Sequence, residues 1–333
     1  MLPLPSDHLI SRVRTLHEHI RAEVRAQLLH HSSEWLAQAT ESTDGDTQFR
    51  IDLRVEELLL QFCREWAQEV PFVLVAEGIA EDGWLVLPEG TDPADAQFIL
   101  IADPIDGTRM IMYDKRSAWC LTGIAPNRGR QTTLADIQIA VQTELPTTRQ
   151  HLADTLWAVG GQGTYGERVN LLDGTITPFR PIPSRSTDLR YGFACIANFF
   201  PDGKGWLAGL EEQLYRRLGS TDAGGNPLVF ADQYLSTGGQ IYELTVGHDR
   251  FVADLRPVAF QRLGYAQPPL CAHPYDICTE LIALEAGAII TDERGNPLQT
   301  PLDIREPVAW VGYANADLRR LIEPVLQQLL WEG

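Results

Sequence analysis

Residues 98–108 read FILIADPIDGT, and no other stretch constrains the chain as much. Residues 98–102 are an apolar run of the length of one buried strand. Asp103-Pro104 is expected to stop it, because proline has no N–H for a ladder and restricts the residue before it. Asp103 and Asp106 then share a turn, and Gly107-Thr108 open the next segment. Two carboxylates brought to one point by a buried strand are costly unless something cationic binds there. The pattern points to a divalent-metal site that handles a phosphate.

A chain of 333 residues can bury a large core and favours two lobes over one. Its net charge of −18 argues against nucleic acid or an anionic membrane as the main partner. Cys63, Cys120, Cys195, Cys271 and Cys278 are widely spaced and form no CxxC, so neither a zinc clamp nor a redox pair is expected. Reduced, buried thiols suit a cytoplasmic protein. There is no basic-then-apolar leader and no apolar run long enough for a membrane span, so a soluble chain is expected.

Residues 6–41 repeat apolar side chains at helical spacing, with Ser6-Asp7 at the start. Four of their histidines, His17, His19, His30 and His31, are read as surface groups, because neighbours at i,i+1 or i,i+2 share no helix face. A polar loop at 43–47 leads to a second helical pattern that Pro71 should end. By default Asp46 is a turn residue and Asp52 a helix N-terminal acid. Residues 72–76 form another apolar strand, and it too runs into a carboxylate, Glu77. Strand patterns follow at 117–125, 134–145 and 155–159, with Gly160-Gly161-Gln162-Gly163 read as a hairpin turn rather than a nucleotide loop.

Helices first and then a run of strands is an α+β order. After a connection at 178–186, strand 191–200, helix 205–218, helix 238–246 and strand 250–254 are expected. An irregular stretch at 256–274 precedes helix 275–286, which carries Asp276 in its first turn. Strands at 288–291 and 308–312 and a helix at 318–331 close the chain, a more α/β-like half. The division predicted is a lobe over 1–180 with most acidic candidates and a lobe over 181–333 with Asp276.

Asp46, Glu77, Asp103, Asp106 and Asp276 all stand at element ends. Each alone reads as a cap or a solvated turn; together they are hard oxygen donors suited to magnesium or manganese. A phosphatase class with an aspartyl nucleophile two residues before the DGT aspartate is excluded, since Pro104 holds that place and cannot attack phosphorus.

Four segments in order, DTQFRID (46–52), AEG (76–78), DPIDGT (103–108) and YDICTELIALEAGAIITDERGNPL (275–298), make the chain resemble the inositol monophosphatase family. That family lies within the lithium-sensitive and fructose-1,6-bisphosphatase-like metal-dependent phosphatases. The resemblance implies a layered α/β/α/β/α sandwich of two lobes with the site between them, and a cytoplasmic homodimer. It implies two or three Mg2+ ions, with Mn2+ as a substitute, held by Glu77, Asp103, the Ile105 carbonyl, Asp106 and Asp276. Glu77 and Thr108 would position and help deprotonate the attacking water, with Asp46 orienting Thr108 or an added ion. Asp106, Gly107, Thr108 and Asp254 would contact the substrate, a small phosphorylated polyol or sugar. Lys115 and Arg116 are weighed as a contact to a second anionic group and as an exposed turn.

Alternatives are fructose-1,6-bisphosphatase or nucleotide 3'-phosphatase activity, or a catalytically silent relative that binds a phosphorylated ligand. The chain departs from the family pattern in four places, one of them the segment after Thr108, which carries a few extra residues including Lys115-Arg116 where many relatives are apolar. Gly78 replaces a second glutamate, whose role Glu81 is expected to take. Tyr275 replaces a tryptophan, and the segment before Asp276 is longer than usual.

Overall fold

Apolar periodicity builds the first helix, but it ends at His30 rather than near residue 41. Ser32 starts a new turn there by accepting the Trp35 N–H on its hydroxyl. The computed structural model describes residues 2–42, 47–219, 222, 224–266 and 268–331. Its helices are α1 (Ser6–His30), α2 (Ser33–Leu36), α3 (Arg50–Trp66), α4 (Thr108–Ile111), α5 (Lys204–Arg217), α6 (Thr237–Thr245), α7 (Arg256–Arg262), α8 (Pro274–Ile277), α9 (Glu280–Ala286) and α10 (Ala316–Trp331). A short pair, β1 (Ala39–Ser42) and β2 (Thr47–Phe49), precedes α3.

The first large sheet has eight strands: β3 (Phe72–Val75), β4 (Trp84–Leu87), β5 (Phe98–Asp106), β6 (Ala118–Pro126), β7 (Ile139–Leu145), β8 (Leu152–Val159), β9 (Gly163–Asn170) and β10 (Ile176–Phe179). The second has five: β11 (Gly192–Ile196), β12 (Val229–Phe230), β13 (Asp249–Asp254), β14 (Ile289–Thr291) and β15 (Trp310–Tyr313). Helices α1 and α3 cover the outer face of the first sheet. Helices α6, α8 and α9 fill the space between the sheets, and α5 and α10 lie over the second. The result is the expected five-layer α/β/α/β/α sandwich.

Strand alternation sorts side chains between these layers. Phe72, Leu74, Phe98 and Leu100 join the core under α1 and α3, whereas Val73, Val75, Ile99 and Ile101 face the core between the sheets. His17 belongs to the first of those cores and is not a surface group. It is fully buried, bonded through its ring nitrogens to Thr143 at 3.0 Å and Thr122 at 2.8 Å. Burial pushes its pKa down to about 3, so it stays neutral.

Three other expectations change. Strand β5 continues through Pro104 to Asp106, because its pairing with β6 slips between Asp103 and Asp106. The proline falls in that irregularity, where no ladder bond is lost. The stretch after Arg256 is helical, with Pro257 tolerated in the first turn of α7. The helix expected over 275–286 is two helices, broken at Cys278-Thr279. Residues 160–163 do form a hairpin turn between β8 and β9, and the N–H groups of Gly161 and Gly163 donate to the Glu285 carboxylate at 2.7 and 2.8 Å.

Candidate metal centre

Strands β3 and β5 are parallel, with Val75 opposite Ile101. Two residues further along that register, Glu77 follows the end of β3 and Asp103 stands at the slip in β5, at the same end of the sheet. The slip in β5 then turns Asp106 inward, and α8 packs on β5 from the other half of the chain with Asp276 in its only turn. Carboxylate oxygens of Asp103, Asp106 and Asp276 lie within 4.8 Å of one another. Burial, and after it the neighbouring Asp106 and Asp276, raises the Asp103 pKa well above the ordinary carboxylate range. The same two causes, burial and then Asp276, lift Asp106 to about 7. Three crowded acids, of which Asp103 and Asp106 resist ionisation, are a donor set that a divalent cation would complete, and their all-oxygen chemistry fits magnesium or manganese.

Each acid is also oriented. Asp103 accepts the Ile105 N–H at 2.9 Å. Asp276 accepts the His273 N–H at 2.6 Å, closing a capping box at the start of α8. Asp106, only 5% exposed, accepts three donors from the first turn of α6: the Ser236 hydroxyl at 2.7 Å, the Thr237 N–H at 3.2 Å and the Gly238 N–H at 2.6 Å. Gly238 is required, since a Cβ there would stand 2.9 Å from the Asp106 carboxylate and 2.5 Å from Leu121. Glu77 accepts the Tyr275 hydroxyl at 3.3 Å, so tyrosine in place of tryptophan adds a link between a β3-end acid and the helix of Asp276.

Beside this cluster, Gly107 adopts φ +99° and starts α4. The Thr108 hydroxyl lies 2.8 Å from the Ile105 carbonyl and 3.2 Å from Asp52 Oδ1. Asp52 Oδ2 meanwhile accepts the Phe49 N–H at 2.9 Å.

No family model matches the chain, and no curated protein matches its sequence. Solved structures do match over nearly its whole length. Fructose-1,6-bisphosphatase from Leishmania major superposes with a TM-score of 0.68 at 14% identity, covering 95% of this chain and 93% of that one. The extragenic suppressor protein suhB from Bartonella henselae gives 0.65 at 13% identity, covering 96% and 99%. The inositol monophosphatase of Thermotoga maritima gives 0.61 at 16%, covering 97% and 99%. The fold is the inositol monophosphatase and fructose-1,6-bisphosphatase fold. Within it, the acids at residues 103, 106 and 276 sit where two sheets and their intervening helices meet.

Several residues singled out from the sequence have other engagements in this fold. Asp46 lies outside the described residues. Asp254 is fully buried and gripped by Arg256, whose Nε lies 2.9 and 3.1 Å from its two oxygens, so a substrate hydroxyl would have to compete with that pair. Arg116 bonds Asp232 at 2.7 Å and Glu243 at 2.9 Å, and it is not an exposed turn residue. Lys115 is exposed. Glu81 is exposed as well. It is Glu56, on α3, whose carboxylate packs over Gly78, 2.8–2.9 Å from where a Cβ would stand.

Asp52 is the site residue that sequence reasoning undervalued. It sits one turn before Glu56 on α3, so both acids share the face directed at the ends of β3 and β5. The signal was present in an acid that opens an amphipathic helix within the quoted 46–52 segment.

Proposed function

We propose that the chain is a magnesium-dependent phosphate monoester hydrolase acting on a small phosphorylated polyol or sugar, releasing phosphate and an alcohol. The observation that supports this best is the convergence of Asp103, Asp106 and Asp276 within 4.8 Å, next to a threonine hydroxyl held by a carboxylate. Glu77, Asp103 and the Ile105 carbonyl would hold one ion, and Asp103, Asp106 and Asp276 a second. Bound there, divalent ions supply Lewis-acid charge to the phosphoryl group and to the attacking and leaving oxygens of an in-line displacement.

The chain's own groups do the positioning. With its hydroxyl proton directed to Asp52 or to the Ile105 carbonyl, Thr108 presents a lone pair outward. A water that donates to that lone pair is oriented with its own lone pair free to attack phosphorus, and Glu77 stands as the proton acceptor. The Gly107 turn brings the backbone close to where the phosphate would lie. Cytoplasmic location and a homodimer belong to the same proposal. No described helix is long and apolar enough to cross a membrane.

The test is phosphate release from a panel of inositol, sugar, sugar bisphosphate and nucleotide phosphates, with and without Mg2+ or Mn2+. Metal-dependent release that Asp106→Asn abolishes supports the reading. Release that survives Asp106→Asn, or no release from any member with either ion, overturns it.

A further inference from the structure

Arg116 precedes β6 in the first half of the chain, yet its partners are in the second. Its guanidinium bridges Asp232, before α6, and Glu243, on α6, at 2.7 and 2.9 Å. It also lies 3.5 Å above the ring of Tyr234. Tyr234 is buried, its hydroxyl donating to the Ser117 carbonyl at 2.9 Å and accepting the Trp119 indole N–H at 2.8 Å. Trp119 pairs with Asp106 across β5 and β6. The three residues between the Arg116 contacts at 232 and 243 that matter most are Ser236, Thr237 and Gly238, the same three that donate to Asp106. Arg116 therefore ties the segment before α6 to the last turn of α6, and the Tyr234 ring packs on the first turn, 2.5 Å from where a Cβ on Gly239 would stand.

We propose that Arg116 is a positioning residue for the metal centre: by tying the segment before α6 to its last turn it holds the helix in place, and with it the donors that orient Asp106. This rests on the reading of Asp103, Asp106 and Asp276 as divalent-metal ligands. A bidentate guanidinium stacked on a ring is a geometry that lysine cannot reproduce. The bridge is also only partly exposed, with 30% of the Arg116 side chain and 18% of the Glu243 side chain accessible, so it is less screened than a surface pair. Without it, Asp232 and Glu243 lose the cation between them, Glu243 keeps its His248 contact at 2.5 Å, and the Ser236 and Gly238 donors lose their fixed aim.

The experiment measures Mn2+ binding to the full-length protein by calorimetry and by electron paramagnetic resonance, beside kcat and KM for the best substrate of the panel. Arg116→Gln should weaken Mn2+ at least tenfold and lower kcat with KM little changed. Arg116→Lys should recover only part of the loss, and added methylguanidinium should restore Mn2+ affinity to Arg116→Gln but not to Asp106→Asn. If Arg116→Gln does not fold, Asp232→Asn carries the test, because it removes one strut at a side chain that is 44% exposed. Wild-type Mn2+ affinity in both Arg116→Gln and Asp232→Asn would overturn the proposal and leave the metal reading intact. A rise in KM alone would return Arg116 to substrate binding and also overturn it. Absence of any Mn2+ binding to the wild-type chain would overturn the metal reading itself, and the proposal with it.

Discussion

Thr108 and Asp52, 56 residues apart in sequence, meet at 3.2 Å between hydroxyl and carboxylate. The contact joins the first turn of α3 to the first turn of α4, and with the Ile105 carbonyl at 2.8 Å it gives the threonine proton an acceptor away from the outward lone pair. Thr108→Val and Asp52→Asn should each lower kcat by about a hundredfold or more, the usual size of a lost proton-transfer arrangement. KM should move far less. Equal loss in kcat/KM through KM alone would show that the pair serves substrate binding instead.

The contact between Glu56 and Gly78 gives a stability prediction. Gly78 has φ +76°, and an added Cβ would press on the Glu56 carboxylate at 2.8 Å. Gly78→Ala should therefore cost about 1–3 kcal/mol from overpacking and left-handed backbone strain together. Glu56→Ala removes the clash but not the backbone strain, so the double variant should recover part of the loss. A thermodynamic cycle by urea unfolding reads the coupling, and strictly additive effects would show that the two residues do not touch.

Asp254 and Arg256 form a buried pair, with side chains 0% and 9% exposed. Asp254→Asn should destabilise the fold by about 3–5 kcal/mol, because it strands a buried guanidinium. A substrate contact predicts the opposite pattern: unchanged melting temperature and raised KM. Chemical denaturation and steady-state kinetics on the same preparation separate them.

Glu280 gives a pH signature. It is 4% exposed, and burial raises its pKa from 4.5 to about 8. The unfolded chain loses this proton near pH 4.5 and the folded chain keeps it to about pH 8, so unfolding releases a proton between these values. The Glu280 contribution to stability must then fall as pH rises across that window and level off above it. Glu280→Gln should flatten the fall, gaining melting temperature relative to wild type at pH 8.5 more than at pH 5. Parallel curves for the two proteins would refute the assignment.

Local patterns carried most of the architecture. An apolar run that ends in an acid is visible in a few residues, so Glu77, Asp103 and Asp106 stood out, and Asp276 did so through its helix start. What escaped was set by distant partners. Asp52 looked like any helix-opening acid because Thr108 arrives only when α4 packs beside α3. His17 was misread although it follows Val13 by four residues and precedes Ile20 by three, on the buried stripe; comparing the histidines with one another hid their relation to that stripe. Pro257 concealed α7, and the break between α8 and α9 has no glycine or proline to mark it. Its cause is tertiary, since Thr279 bonds Gln142 on β7 at 3.1 Å.

The order of the acids along the chain has a consequence for synthesis. Asp103 and Asp106 leave the ribosome long before Asp276, and α6, which aims Asp106, comes in between. A nascent chain therefore exposes two acids without their third partner or their orienting turn, and it cannot build the full site early. Once closed, an ion shared by β5 and α8 would tie together segments about 170 residues apart, a removable cross-link over a long loop. Chelation should loosen the seam between the two halves of the chain before it disturbs either sheet.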